Sequence, residues 1–206
     1  MSYTSIGPCT MLSPVPAVMV SCRRAPEERP DIITVAWAGT VNSEPPMVSV
    51  SVRKSRFSHD IILESGEFVV NMVDAAHARE LDWCGVKSGR DVDKFAELGL
   101  QAIPAEGMTL APAIDGMPGY LSCKVRQVLE LGSHDMFLGE VTAVCMRDDL
   151  FAADGSLHLE RSGLVCYAHG TYQKAEEPLG FFGWSVARPE VLRKRMAALR
   201  QDERKR

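Results

Sequence analysis

The sequence predicts a mainly β fold, an antiparallel barrel with a few flanking helices. Short Val-rich runs bounded by Gly, Pro, Asn or Ser follow one another closely, while helical periodicity is confined to a few brief pieces. Neither Gly-x-Gly-x-x-Gly nor Gly-x-x-x-x-Gly-Lys-Ser/Thr occurs, so the phosphate loops of parallel α/β folds are missing. A length of 206 residues, 46% hydrophobic and 24% charged, suits one domain whose core needs neither disulfide nor metal.

Along the chain, strands are predicted over Pro16–Ser21, Ile32–Ala38, Met47–Arg53, Glu67–Val73, Leu121–Leu131, Met136–Met146 and Gly163–Ala168. Met47–Arg53 has the strictest pattern. Val48, Val50 and Val52 share one face and Ser49, Ser51 and Arg53 the other, so one face enters a core and the other lines up hydroxyls and a guanidinium. In the strand before it, Thr34, Ala36 and Ala38 oppose Ile33, Val35 and Trp37, and Gly39-Thr40-Val41-Asn42 reads as a turn ahead of Pro45-Pro46. Helices are predicted over Ser58–Ser65, Ala75–Trp83 after an Asp74 cap, Val92–Leu98 after Asp91, and Pro189–Arg204. Pro189 suits a first turn through its fixed φ. Residues 1–187 form the expected domain and 188–206 a basic C-terminal helix or tail.

The net charge of −4 lacks the basic footprint of a nucleic-acid protein. Residues 188–206 hold eight basic and three acidic side chains, a net +5, which leaves −9 on the rest. Such a tail reads as a solvated helix packing on an acidic body or a partner subunit, with a nucleic-acid or membrane tail as the alternative. No run approaches the ~18–20 apolar residues of a membrane span, and Met1–Cys9 lacks a signal-peptide pattern, so a cytoplasmic protein with no membrane partner is expected. The six cysteines form no Cys-x-x-Cys pair, which gives no zinc or dithiol motif; Cys123 and Cys145 read as small buried apolar residues.

Chemistry concentrates where the Met47–Arg53 strand runs into a helix. Ser51, Arg53, Lys54, Arg56 and Ser58 place cations and hydroxyls beside free helix N–H groups, an arrangement suited to a phosphate. The same residues also read as a solvent-facing strand end with Ser58 as N-cap. Ahead of them, the small face of Ala36 and Ala38 leaves room for a flat ring, Gly39 allows close backbone approach, and Thr40 and Asn42 can meet ring carbonyls. A tight barrel corner would use the same residues.

The run from Ser13 to Val73, including DIITVAWAGTVNSEPPMVSVSVRKSRFSHDIILESGEFVVNMV, resembles the flavin reductase-like family with the FMN-binding split barrel, close to its flavoredoxins. Two later pieces agree: Ser88-Gly89 followed by Asp93-Lys94-Phe95, and a Gly132-Ser133-His134-Asp135 hairpin leading to Gly139-Glu140-Val141. The resemblance covers about residues 10–170. It implies a six-stranded antiparallel Greek-key barrel with flanking helices, a homodimer, and one FMN per subunit.

By that resemblance Ala36, Trp37, Ala38, Gly39, Thr40 and Asn42 line the isoalloxazine and ribityl chain. Ser51, Arg53, Lys54, Arg56 and Ser58 hold the phosphate, with Ser88 and Lys94 in support. His134 is the implied catalytic contact beside flavin and nicotinamide, although here Ser133 precedes it and Asp135 follows, a departure from the family's Asp-before-His order. His169 and Tyr172 are candidates for the other wall of the pocket. The implied activity is hydride transfer from NAD(P)H to FMN, with backbone amides of 39–41 facing the ring's C2 carbonyl. Free flavin, a ferric complex or a redox protein would then be the acceptor. The alternative is a flavoredoxin-like electron carrier reduced by a protein partner.

Overall fold

A computed structural model describes residues 1–175 and 178–203, the last four by backbone alone. Arg204, Lys205 and Arg206 of the predicted tail lie outside the described residues. The strands are β1 (Val15–Pro16), β2 (Val18–Cys22), β3 (Asp31–Val35), β4 (Ala38–Ser43), β5 (Pro46–Arg53), β6 (Glu67–Met72), β7 (Ala102–Ile103), β8 (Ala113–Ile114), β9 (Gly119–Glu130), β10 (His134–Met146), β11 (Val165–Ala168) and β12 (Thr171–Lys174). The helices are α1 (Phe57–Ser65), α2 (Ala78–Val86), α3 (Lys94–Leu98) and α4 (Pro189–Glu203). No described helix is long and apolar enough to cross a membrane.

Seven strands form one antiparallel sheet in the order β3-β2-β6-β9-β10-β5-β4. Its two outer members are consecutive in the chain and separated only by Ala36 and Trp37. The sheet must therefore curl until its edges meet, and with β3–β4 counted as one bent strand it is a six-stranded barrel. The connection from β5 through α1 to β6 skips two strands, which is the Greek-key step.

The barrel interior holds Val18, Val20, Ile33, Val35, Val48, Val50, Val52, Phe68 and Phe137, closed at one end by Ile61 and Ile62 of α1. Gly139 of β10 faces a bulge in β9, where Arg126 is the unpaired residue, and a Cβ at Gly139 would meet the Phe68 ring at 2.5 Å. Strand β2 is buried on both faces: its Met19, with Ile32 of β3, packs outward under Leu81 and Cys84 of α2 and Phe95 of α3. Glu67 is 7% exposed and fastens the 104–112 loop, its carboxylate accepting the N–H groups of Leu110 at 2.8 Å, Thr109 at 3.0 Å and Ala111 at 3.3 Å.

Several elements depart from expectation. The predicted Ile32–Ala38 strand stops at Val35, and Gly39–Asn42 is no turn: it lies in β4, paired with β5, with the reversal at Glu44–Pro45. The bend shifts the alternation, so Trp37 leaves the core-facing row and is 44% exposed, while Ala38 packs against the barrel core. Strand β12 was not foreseen; it returns after a hairpin in which His169 adopts a left-handed φ of 43°. Helix α3 is capped by Asp93, not Asp91, the Asp93 carboxylate accepting the Ala96 N–H at 3.1 Å. Cys123 is buried as expected, whereas Cys145 is half-buried. At the C-terminus Arg195 lies over the Phe181 ring at 4.8 Å, and Phe182 stays fully exposed.

Candidate functional site

The β4–β5 ladder ends at the corner, where the Ser51 N–H donates to the Trp37 carbonyl at 2.9 Å. Beyond it β3 turns away to pair with β2, so Val52 and Arg53 have no hydrogen-bonded strand on that side. Three adjoining cavities of about 350, 240 and 430 Å³ open along this split. The first two share Ile33, Arg53 and Arg56, and the last two share Ala36, Trp37 and Ser51, so they form one continuous groove.

The first cavity is cationic. Arg53, Arg56, Lys87 and Lys94 line it against the single carboxylate of Asp31. Lys94 is 3% exposed and committed to structure: its ammonium donates to the carbonyls of Ile32 and, at 3.0 Å, Cys84, and lies 3.6 Å from Asp31. The other oxygen of Asp31 accepts the Ser58 hydroxyl. Ser58 is not the N-cap expected of it but the second residue of α1; the N-cap position falls to Arg56, and no side chain caps the first N–H groups. Arg53 and Arg56 make no ion pair or side-chain hydrogen bond among the described residues. Ser88 lines the cavity, and beside it Gly89 is obligatory, since a Cβ there would stand 2.2 Å from the Asp31 carboxylate and 2.6 Å from the Phe57 ring. Two free guanidiniums and an uncapped helix end, held over a buried ion pair, fit a phosphate group.

The middle cavity is the split itself, walled by Ile33–Trp37 on one side and Ser51–Arg53 on the other. Its mouth holds His134, which stands opposite Arg53 in the β5–β10 register, with its ring centroid 4.5 Å from that of Trp37 at 43°. Burial and the Arg53 charge hold the His134 pKa below its ordinary value, so the ring is neutral at neutral pH. The Ser133 hydroxyl sits 2.9 Å from its Nδ1. Behind it, burial would raise the Asp135 carboxyl, but the His59 hydrogen bond at 2.9 Å and the Lys54 charge outweigh that and hold it low.

The structure thus brings Ala36, Trp37, Ser51, Arg53, Arg56, Ser58, Ser88, Lys94 and His134 to the first two cavities, and Ala38 and Gly39 to the third. Thr40 and Asn42 lie on exposed β4 away from the groove, and the Asn42 amide is spent on the Pro45 carbonyl at 2.8 Å. Lys54 turns outward to Glu130 at 2.6 Å and Asp135 at 3.4 Å. Tyr172 packs edge-on against Tyr167 at 5.5 Å in the cluster beneath α2, and neither it nor His169 lines the groove. Sequence reasoning missed Asp31, Lys87 and the cavity wall formed by residues 9–12. Only Asp31 left a signal, a charge at the start of an otherwise apolar strand.

Residues 11–176 match the family described as flavin reductase like domain. The flavoredoxin of Desulfovibrio vulgaris (Miyazaki F) superposes with a TM-score of 0.81 at 31% identity, over 87% of this chain and 97% of that one. The flavoredoxin from Methanosarcina acetivorans shares the fold with a TM-score of 0.80 at 23% identity, over 91% and 100%. The FMN reductase (NADH) RutF of Stutzerimonas stutzeri is 29% identical over 109 residues, 53% of this chain and 60% of that protein. With a split barrel whose groove is cationic at one end and aromatic in the middle, the chain belongs to the flavin reductase-like family.

Proposed function

We propose that this protein is an FMN-binding oxidoreductase that takes hydride from NAD(P)H and passes electrons to free flavin, a ferric complex or a redox protein, acting as a cytoplasmic homodimer. The observation that supports it most is the pair of unpartnered guanidiniums, Arg53 and Arg56, at the uncapped end of α1 and continuous with the Trp37–His134 cleft. Bound FMN supplies the hydride chemistry. Arg53, Arg56 and the first N–H groups of α1 hold its phosphate, while the buried Asp31–Lys94 pair fixes the floor beneath. The split walls, Thr34–Trp37 and Ser51–Arg53, receive the ring and exclude water from one face. Neutral His134 presents a polar edge to the donor without repelling the pyridinium that hydride loss creates. The likeness to an NADH-dependent FMN reductase supports the nicotinamide donor.

The 31% identity to a flavoredoxin favours a second reading, an electron carrier reduced by a protein partner. Anaerobic addition of NADH, then NADPH, to FMN-loaded protein separates the two. Bleaching of the flavin within seconds supports the reductase and names its donor; a flavin that stays oxidised supports the carrier. Protein that takes up no FMN would overturn both.

A further inference from the structure

A cavity of about 330 Å³ shares no lining residue with the three along the split. It lies between the end of β2 and the stretch that leads from β7 to β8. Its walls are mostly apolar, with Ile103, Pro104, Met108 and Pro112 among them, and Arg23 is the only charged side chain in its lining among the described residues. Arg23 follows directly on β2, and its Nε–H donates to the Leu110 carbonyl at 2.9 Å. The terminal amino groups of that half-buried guanidinium have no partner among the described residues. The loop is fastened at the same place from behind: the Leu110 N–H goes to the Glu67 carboxylate at 2.8 Å, and the Ser21 hydroxyl donates to the Pro112 carbonyl at 2.5 Å. The wall is therefore in place before a ligand arrives, which spares the ligand the cost of ordering it.

One guanidinium fork matches one carboxylate through parallel N–H···O bonds. A phosphate dianion would leave charge unmatched against apolar walls, and an uncharged molecule would desolvate the guanidinium without pairing it. The volume falls within the ~300–1,000 Å³ of small-molecule sites, so the walls can cover a ligand's apolar body while the fork holds its head. We infer that this cavity is a binding site for a small monocarboxylate with a compact apolar body, held by Arg23 and separate from the flavin groove. The inference goes beyond the oxidoreductase reading and does not depend on it.

The test is calorimetric titration of the full chain, with and without FMN, using hexanoate and its uncharged counterpart hexanamide. Hexanoate is expected to saturate at one per chain with the same affinity in both preparations, and hexanamide to bind at least about tenfold more weakly. Arg23→Gln is expected to weaken hexanoate about tenfold or more, and Arg23→Lys, which keeps the charge without the fork, by less. Because Arg23 also holds Leu110, a second variant leaves it in place. Ala102 is exposed and lines the cavity, so Ala102→Asp is expected to weaken hexanoate about tenfold by repulsion with thermal unfolding unchanged. Hexanoate should also slow amide exchange at Thr109–Ala111, which locates binding at this wall. Absence of hexanoate binding, its displacement by FMN, equal affinity for hexanamide, unchanged affinity in Arg23→Gln or Ala102→Asp, or unchanged exchange at Thr109–Ala111 would each overturn the inference. If the protein takes up no FMN yet binds hexanoate in an Arg23-dependent way, the site stands and the flavin reading falls.

Discussion

Removing Arg53 and Arg56 tests the anion end of the groove most directly. Neither guanidinium has an acidic partner among the described residues, so truncation strands no carboxylate and costs the fold little. What is lost is interaction with a phosphate. A hydrogen bond to a charged group contributes about 1.5–3 kcal/mol, so each single Arg→Ala change is expected to weaken FMN binding about 10- to 150-fold. The double variant, if the two act independently, falls below useful occupancy at micromolar FMN. Lys54→Ala is the internal control, because that ammonium is already engaged by Glu130 and Asp135 and turns away from the cavity. Quenching of free FMN fluorescence on titration with protein reads all four affinities, and thermal unfolding verifies the fold. Wild-type FMN affinity in Arg53→Ala/Arg56→Ala, or a larger loss in Lys54→Ala, would refute the assignment of phosphate to this cavity.

Three further outcomes are expected. Lys94→Met leaves Asp31 buried without its cation and is expected to cost about 3–5 kcal/mol by urea denaturation, with Asp31→Asn/Lys94→Met recovering part of it; a double variant no better than the single would contradict the pairing. The His134 pKa lies below its ordinary value of about 6.5, so the unfolded chain protonates there first. Stability should therefore fall as pH drops through that value until the folded ring also takes up a proton, and Arg53→Ala should raise the ring's pKa in an NMR titration. Glu67→Gln trades a carboxylate holding three N–H groups for a neutral amide, at a cost of about 1.5–3 kcal/mol, with faster amide exchange at Thr109–Ala111 as its local signature; unchanged exchange would count against the role given to Glu67.

How much of this was legible in the sequence follows from burial. Strand β5 was readable because Val48, Val50 and Val52 sit in the core at 7, 0 and 2% exposure while Ser49, Ser51 and Arg53 do not, so the pleat writes itself into the composition. Strand β4 was unreadable because its outer residues, Thr40–Ser43, are exposed and no buried face biases their identity. The bend at Ala36–Trp37 left no mark, since a one-step shift in alternation looks like an uninterrupted run. Arg53 and Arg56 were visible through local spacing. The Asp31–Lys94 pair joins residues 63 positions apart, and only the folded chain shows that each is the other's counter-ion.

The bent strand also sets what a ligand does to the whole molecule. One segment hands its hydrogen bonds from β2 to β5 partway along, leaving a gap in the stave work where the rungs stop. Whatever fills the gap stands in for those rungs. Occupancy there is a fold-wide quantity: the empty protein should breathe first at the Ser51–Trp37 rung, and a bound cofactor should slow opening of the entire barrel in proportion to its own affinity.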